Sequence, residues 1–141
     1  MNSDTSLKVF RFIAGFAGVY HCILGILGTF ASAEFISKTV NAVYGVNPRV
    51  DLQFLSSARF ASAYLLAFGV MMLLVAWKPR EHQMFVWAAV ILFAVRVFDR
   101  LVYFNVLQDA YGITMAQNLR VLIPVALILA GLLIFRPKTQ S

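Results

Sequence analysis

Long apolar runs separated by short polar segments make up most of this chain. A helix needs roughly 20 residues to cross the apolar core of a bilayer. Four runs approach that length, at about 9–30, 57–77, 83–104 and 119–135. The pattern predicts an all-α integral membrane protein built as a bundle of four transmembrane helices. Because the runs take up nearly the whole chain, we expect residues 1–141 to form a single membrane domain.

The segment that follows the first run has a different pattern. Between positions 35 and 45 the apolar residues are spaced as on one face of a helix, at Ile36, Val40, Val43 and Tyr44. This spacing indicates a short amphipathic helix that lies in the membrane interface and ends at Gly45. A plain surface loop is the alternative interpretation.

Small residues recur at every third or fourth position of the first run and therefore share one face of a helix. They are Gly15, Gly18, Cys22 and Gly25. Such a face lets a second helix approach closely. We expect it to be a helix-packing surface through which the chain associates with itself or with a larger membrane complex.

The first run also has some features of a cleavable signal peptide. Lys8 and Arg11 lie at its start, and the small residues Ala31, Ser32 and Ala33 follow it. The apolar part of a signal peptide is usually about 7–15 residues long, however, and this run is longer. We therefore expect a retained helix, with cleavage of the first run as the alternative.

Composition supports a membrane protein and argues against other classes. The chain is 61% hydrophobic and 13% charged, whereas soluble domains are about 25% charged. Its net charge of +6 comes from lysines and arginines that lie mostly at the ends of the apolar runs. Charges so placed favour membrane lipids, including anionic ones, as partners and argue against nucleic acid. The four runs leave no room for a soluble catalytic domain.

Cysteine and histidine are too sparse for the usual redox or metal centres. Cys22 is the single cysteine, which excludes a CxxC motif and an intramolecular disulfide. The two histidines, His21 and His82, fall at different depths of the predicted spans, which argues against a haem or metal site. We expect no catalytic residue, metal or cofactor. His21 is interpreted either as a proton relay or as a neutral ring hydrogen-bonded across helices.

The third run carries charged residues where a membrane helix rarely has them. Arg96, Asp99, Arg100 and Tyr103 are spaced by three, four and seven positions, so they share one helical face. A charged residue at the centre of a membrane helix costs roughly 2.5–3.5 kcal/mol, so these groups are expected to have partners. Glu34 follows the first run, and Arg59 and Arg120 open the second and the fourth, so all three lie at the same end of the predicted bundle.

Two interpretations of this charge cluster remain open. In the first, the seven residues form a cationic pocket that holds an anionic lipid head group or a small acid through the forked guanidinium groups. In the second, the charges pair with one another and lock the helices together, while surplus arginines reach lipid phosphates.

Two segments resemble those of known families. The sequence RFASAYLLAFG at 59–69 and RVFDR at 96–100 resemble a bacterial family of small four-span membrane proteins of unknown function, itself similar to DoxX-like proteins. The Ala58-Arg59 pair gives a weaker resemblance to the ergosterol-biosynthesis scaffold protein family. The first resemblance implies a bacterial inner (plasma) membrane protein, and the second implies that the chain tethers membrane enzymes without catalysis.

The positive-inside rule gives an expected orientation. With both termini in the cytoplasm, the basic residues just beyond the helix ends lie on that side, at Lys8, Arg11, Lys78, Arg80, Arg136 and Lys138. The arginine cluster then faces the outer leaflet.

The sequence thus supports three hypotheses for function. The first is a non-catalytic accessory or scaffold protein that forms a homo-oligomer or joins a larger membrane complex. The alternative is a protein that binds or transports an anionic lipid or small acid at the arginine cluster. An enzyme that acts on a lipid is the weakest of the three.

Overall fold

The computed structural model describes residues 3–137, apart from the side chains of Ser3 and Tyr44. These residues form six helices and no strand: α1 (Ser3–Phe30), α2 (Ala33–Tyr44), α3 (Leu52–Trp77), α4 (Gln83–Val102), α5 (Phe104–Tyr111) and α6 (Met115–Ile134). The prediction of an all-helical protein is confirmed. Lys138 and both chain termini, which the orientation prediction used, lie outside the described residues.

Three helices are long and apolar enough to cross a membrane: Asp4–Phe30, Leu52–Trp77 and Met115–Ile134. Helix α4 has 20 residues, which gives it a length of about 30 Å. It carries Arg96, Asp99 and Arg100 in its last two turns, however, and is too highly charged to qualify by composition. The fourth span therefore stays a prediction.

The four long helices alternate in direction. At one end of the bundle, the Gln83 side chain donates a hydrogen bond to the Pro137 carbonyl at 3.0 Å, and Arg136 lies 4.4 Å from the centre of the Trp87 ring. These contacts join the start of α4 to the end of α6. Arg11, near the start of α1, lines a cavity with the turn between α3 and α4. Helices α2 and α5 therefore lie at the opposite end.

Helix α2 confirms the helical interpretation of the segment after the first run. The Ser32 side chain accepts a hydrogen bond from the Phe35 amide and caps its start. Gly45 ends it with φ 72°, a left-handed conformation that favours glycine. The described structure therefore contains a helix in place of a loop.

Three helices begin earlier in the chain than the apolar runs indicate: α1 at Ser3, α3 at Leu52 and α6 at Met115. The Asp51 side chain caps α3 by accepting from the Phe54 amide at 2.7 Å. Thr114 and Gln117 form a reciprocal capping box at the start of α6. The connection between the third and fourth runs also contains α5, which ends at Gly112 with φ 67°. Polar caps and a short amphipathic helix extend the structure beyond what hydropathy indicates.

The small-residue face of α1 packs against α3 of the same chain. A methyl group on Gly25 would lie 2.5 Å from the backbone nitrogen of Leu66, and one on Gly69 would lie 2.6 Å from that of Cys22. Gly18 lies opposite Gly69 in the same contact. The backbones of the two helices are therefore too close for side chains at these positions. Association with another chain would have to use a different face.

The buried core lies in the half of the bundle nearer the α3–α4 turn. It is formed by residues from all four long helices, namely Phe10, Ala14, Ala17, Met72, Val75, Val86, Ala89, Val90, Phe93 and Leu132. The polar residues on the last two turns of α4 lie beyond this core, toward α2 and α5.

A candidate binding groove between α4 and α6

A buried histidine connects α1 to the charged face of α4. His21 is 2% exposed. Its Nδ1 lies 2.7 Å from the Ala17 carbonyl oxygen, and its Nε2 lies 3.3 Å from Nη1 of Arg96. Because a carbonyl only accepts and a guanidinium only donates, His21 is neutral with its proton on Nδ1. The structure therefore favours the cross-helix hydrogen bond over the proton relay.

Aromatic rings surround this histidine on several sides. Phe68 of α3 and Phe93 of α4 meet the imidazole edge to face, at centroid distances of 4.8 and 5.9 Å. Tyr20 makes a similar contact at 5.4 Å. These contacts restrict the ring orientation, so the Nε2 atom that receives Arg96 has a defined position.

A second polar contact ties the end of α4 to the start of α6. Asn118 is 2% exposed. Its Oδ1 accepts a hydrogen bond from Nη1 of Arg100 at 3.3 Å, and its Nδ2 donates to the Arg100 carbonyl at 3.2 Å. One amide thus binds both the side chain and the backbone of Arg100.

Beside these contacts lies a cavity of about 450 Å³, which we call the α4–α6 groove. Its polar wall consists of Arg96, Asp99, Arg100 and Tyr103, and its apolar wall consists of Leu107, Val121, Leu122 and Val125. The polar wall comes from the end of α4 and the residue after it, and the apolar wall comes from α5 and α6. Charged and apolar surfaces therefore face the same space.

A smaller cavity of about 240 Å³ adjoins this groove and lies between α1, α4 and α6. Its lining includes His21, Phe93 and Arg120. Arg96, Val121 and Val125 line both cavities. Arg96 therefore lies where the two spaces meet.

The seven residues predicted to form a cationic pocket are only partly brought together. Four of them line the α4–α6 groove: Arg96, Asp99, Arg100 and Tyr103. Arg120 lines the adjoining cavity. Arg59 is exposed on α3 and lines neither cavity. Glu34 is exposed on α2, lines neither cavity and pairs with Lys38 at 2.7 Å.

The ion pairs of the described residues are local and do not join helices. They are Asp4–Lys8, Glu34–Lys38 and Lys78–Glu81, all between residues three or four positions apart. No described side chain forms an ion pair or hydrogen bond with Asp99. Hydrogen bonds from Arg96 to His21 and from Arg100 to Asn118 link the helices instead.

His21 and Asn118 were not predicted as partners of the arginines. Asn118 is the last polar residue before the fourth apolar run. That position in the sequence could have indicated an amide that needs a hydrogen-bond partner. The alignment of Asn118 with Arg100 depends on α5 and the capped turn that precedes α6. Among the described residues, no group of His, Cys, Asp or Glu is placed to hold a metal ion.

These features define a small all-helical protein with membrane-spanning candidates and a polar groove at one end of the bundle. Residues 9–102 match the family described as "Domain of unknown function (DUF4345)", and the chain belongs to this family. The matched range covers most of α1 and all of α2 to α4, so it includes Arg96, Asp99 and Arg100. No curated protein and no solved structure matches the chain.

Proposed function

We propose that this protein binds an amphiphile with an anionic head group in the α4–α6 groove. The observation that carries the proposal is the pairing of two guanidinium groups, Arg96 and Arg100, with an apolar wall in one cavity. A guanidinium group presents forked donors that match a phosphate or carboxylate. The apolar wall suits an acyl chain, because burial of apolar surface contributes roughly 25 cal/mol per Å².

The arrangement of the polar and apolar walls determines the orientation of the bound ligand. Arg100 is hydrogen-bonded to Asn118 near the start of α6. Leu122 and Val125 lie about one and two turns further along that helix, toward the middle of the bundle. The head group therefore binds near α5, and the chain extends toward the membrane centre. A volume of about 450 Å³ lies within the usual range for ligand sites, roughly 300–1,000 Å³.

The proposal includes α4 as the fourth transmembrane helix. Its length, its packing against α3 and α6, and the alternation of the four long helices support this. Its charged residues occupy only the last two turns, where arginine can reach the interface. With Lys78 and Arg80 on the cytoplasmic side, both termini are cytoplasmic and the groove opens in the outer half of a bacterial inner membrane.

The test is native mass spectrometry of the detergent-extracted protein with added lysophospholipids. Replacing Arg96 or Arg100 with glutamine should weaken binding about tenfold or more, because a hydrogen bond to a charged group contributes roughly 1.5–3 kcal/mol. Arg59→Gln is the matched control, since Arg59 lies at the same end of the bundle and lines neither cavity. It should leave binding unchanged.

A second pair of variants tests the groove without replacing Arg96 or Arg100, whose hydrogen bonds also join helices. Val121→Phe fills the groove from α6 and should block the chain of the ligand, whereas Val102→Phe adds the same volume at an exposed position of α4. Equal lipid retention by all these variants and the parent chain would contradict the proposed site.

A further inference from the structure

Asp99 is a charged residue of the groove that the proposed function does not use. It lies three positions after Arg96 and one before Arg100, and all three side chains line the same cavity. An anion held by the two arginines would therefore also face a carboxylate. A ligand with only negative charge fits this wall poorly, because like charges at close range repel one another.

The polar contacts of Asp99 differ from those of the two neighbouring arginines. Among the residues that the structure describes, Asp99 has no hydrogen-bond or ion-pair partner, although two arginines lie on the same face of α4. Arg96 is hydrogen-bonded to His21, and Arg100 to Asn118. Ionisable groups within membrane helices usually mark the pathway or site of a ligand.

We infer that the ligand head group is zwitterionic, with an ammonium group that binds Asp99 and an anionic group that binds Arg96 and Arg100. This inference rests on the proposed function and specifies its ligand class. Side chains three positions apart on a helix are about 5–6 Å apart at their Cβ atoms. A head group with its two charges separated by a short linker can therefore reach both partners.

The possible ligands share one chemical feature, an ammonium group a few bonds from a phosphate or carboxylate. A phospholipid with an ethanolamine head group has it, and so does soluble phosphoethanolamine. The apolar wall of Val121, Leu122 and Val125 favours the lipid. Both sources can be compared in one experiment.

The experiment uses the full chain in detergent and three lysophospholipids with the same acyl chain. The first carries an ethanolamine head, the second an N-acetylated ethanolamine head with no cation, and the third a glycerol head. Native mass spectrometry measures the affinity of each. The parent chain should prefer the first over the second about fivefold, the upper end for an ion pair that water can reach.

Substitution separates the role of Asp99 from general effects. Asp99→Asn should reduce the fivefold preference to about one while the N-acetylated lipid still binds. Asp99→Glu should keep much of the preference. Asp109→Asn is the matched control, because Asp109 is exposed on α5 at the same end and does not line the groove. It should keep the full preference.

The outcomes are distinct. Equal affinity of the parent chain for the first two lipids, or a preference retained by Asp99→Asn, would overturn the inference that the ligand is zwitterionic. Either result would leave the proposed function intact. A preference for the glycerol head would also overturn it. Failure of all three lipids to bind would instead overturn the proposed function. Competition by soluble phosphoethanolamine as strong as by the first lipid would support the zwitterion with a soluble ligand as its source.

Discussion

Polar side chains inside an apolar bundle are stable only with hydrogen-bond partners, and each buried one among the described residues has them. Ser62 donates to the carbonyl of Ala58 at 2.7 Å, within its own helix. His21 and Asn118 bind across helices, to Arg96 and Arg100 respectively. An unpaired polar group in an apolar environment costs several kcal/mol. The partners therefore both stabilise the bundle and position the two arginines.

Replacing His21 with phenylalanine tests whether its hydrogen bond to Arg96 stabilises the bundle. The substitution keeps an aromatic ring beside Phe68 and Phe93 but removes the acceptor for Arg96. We expect the free energy of unfolding to fall by about 1–3 kcal/mol, measured by thermal unfolding in detergent.

The control for this variant is His82→Phe. His82 lies in the α3–α4 turn, where its ring stacks on Phe85 at 5.7 Å. The replacement should change stability little. Equal stability of the two variants would mean that the bond between His21 and Arg96 contributes nothing measurable.

At the scale of elements, the contact between α1 and α3 is set by backbone proximity. Lipid chains are as apolar as leucine, so membrane helices associate through close packing and polar contacts. Gly25 and Gly69 each lie against the backbone of the other helix. Gly15 differs, because a methyl group there would lie 3.7 Å from the Cβ of Ala76, an ordinary contact distance.

Alanine substitutions at Gly25 and Gly15 should therefore have different effects on stability. Gly25→Ala is expected to force the helices apart and to destabilise the protein by about 1–3 kcal/mol, as overpacking does. Gly15→Ala adds the same methyl group on the same helix and should be neutral or slightly stabilising, since alanine favours helix over glycine by roughly 1 kcal/mol. The measurement is the folded fraction on heating in detergent. The same loss in both variants would show that the close approach is not specific.

For the whole molecule, the alternating long helices separate two kinds of basic residue. One end carries Arg11, Lys78, Arg80 and Arg136 at helix ends and turns, and the other carries the arginines of the groove. A bundle with four spans places these groups on opposite sides of the membrane. A bundle with three would place α5 on the same side as the α3–α4 turn.

Cysteine labelling in intact cells distinguishes the two arrangements. Gln108→Cys on α5 should react with a membrane-impermeant maleimide from outside, and Arg80→Cys should react only after lysis. The parent chain, with Cys22 half-buried in α1, gives the background. Reaction of Gln108→Cys and Arg80→Cys on the same side of the membrane would exclude α4 as a span. A mature chain that begins at Glu34 would show that the first run is cleaved.

The sequence by itself determined the features that depend on near neighbours in the chain. The helical content follows from the hydrophobic pattern of the chain. The end of α2 follows from Gly45. The shared face of Arg96, Asp99 and Arg100 also follows from spacing, because residues three and four apart are neighbours on any α-helix. These inferences need no knowledge of how the helices pack.

Tertiary structure alone decided what each face meets. The small-residue face of α1 meets α3 of the same chain. Glu34 pairs with Lys38 on its own helix, and Arg59 does not line the groove. Asn118 reaches Arg100 only because α5 and the capped turn at Thr114 set the position of α6. Rotation of each helix about its axis and the path of each connection fix such contacts. Both depend on the packing of all helices together, which spacing along one chain segment does not encode.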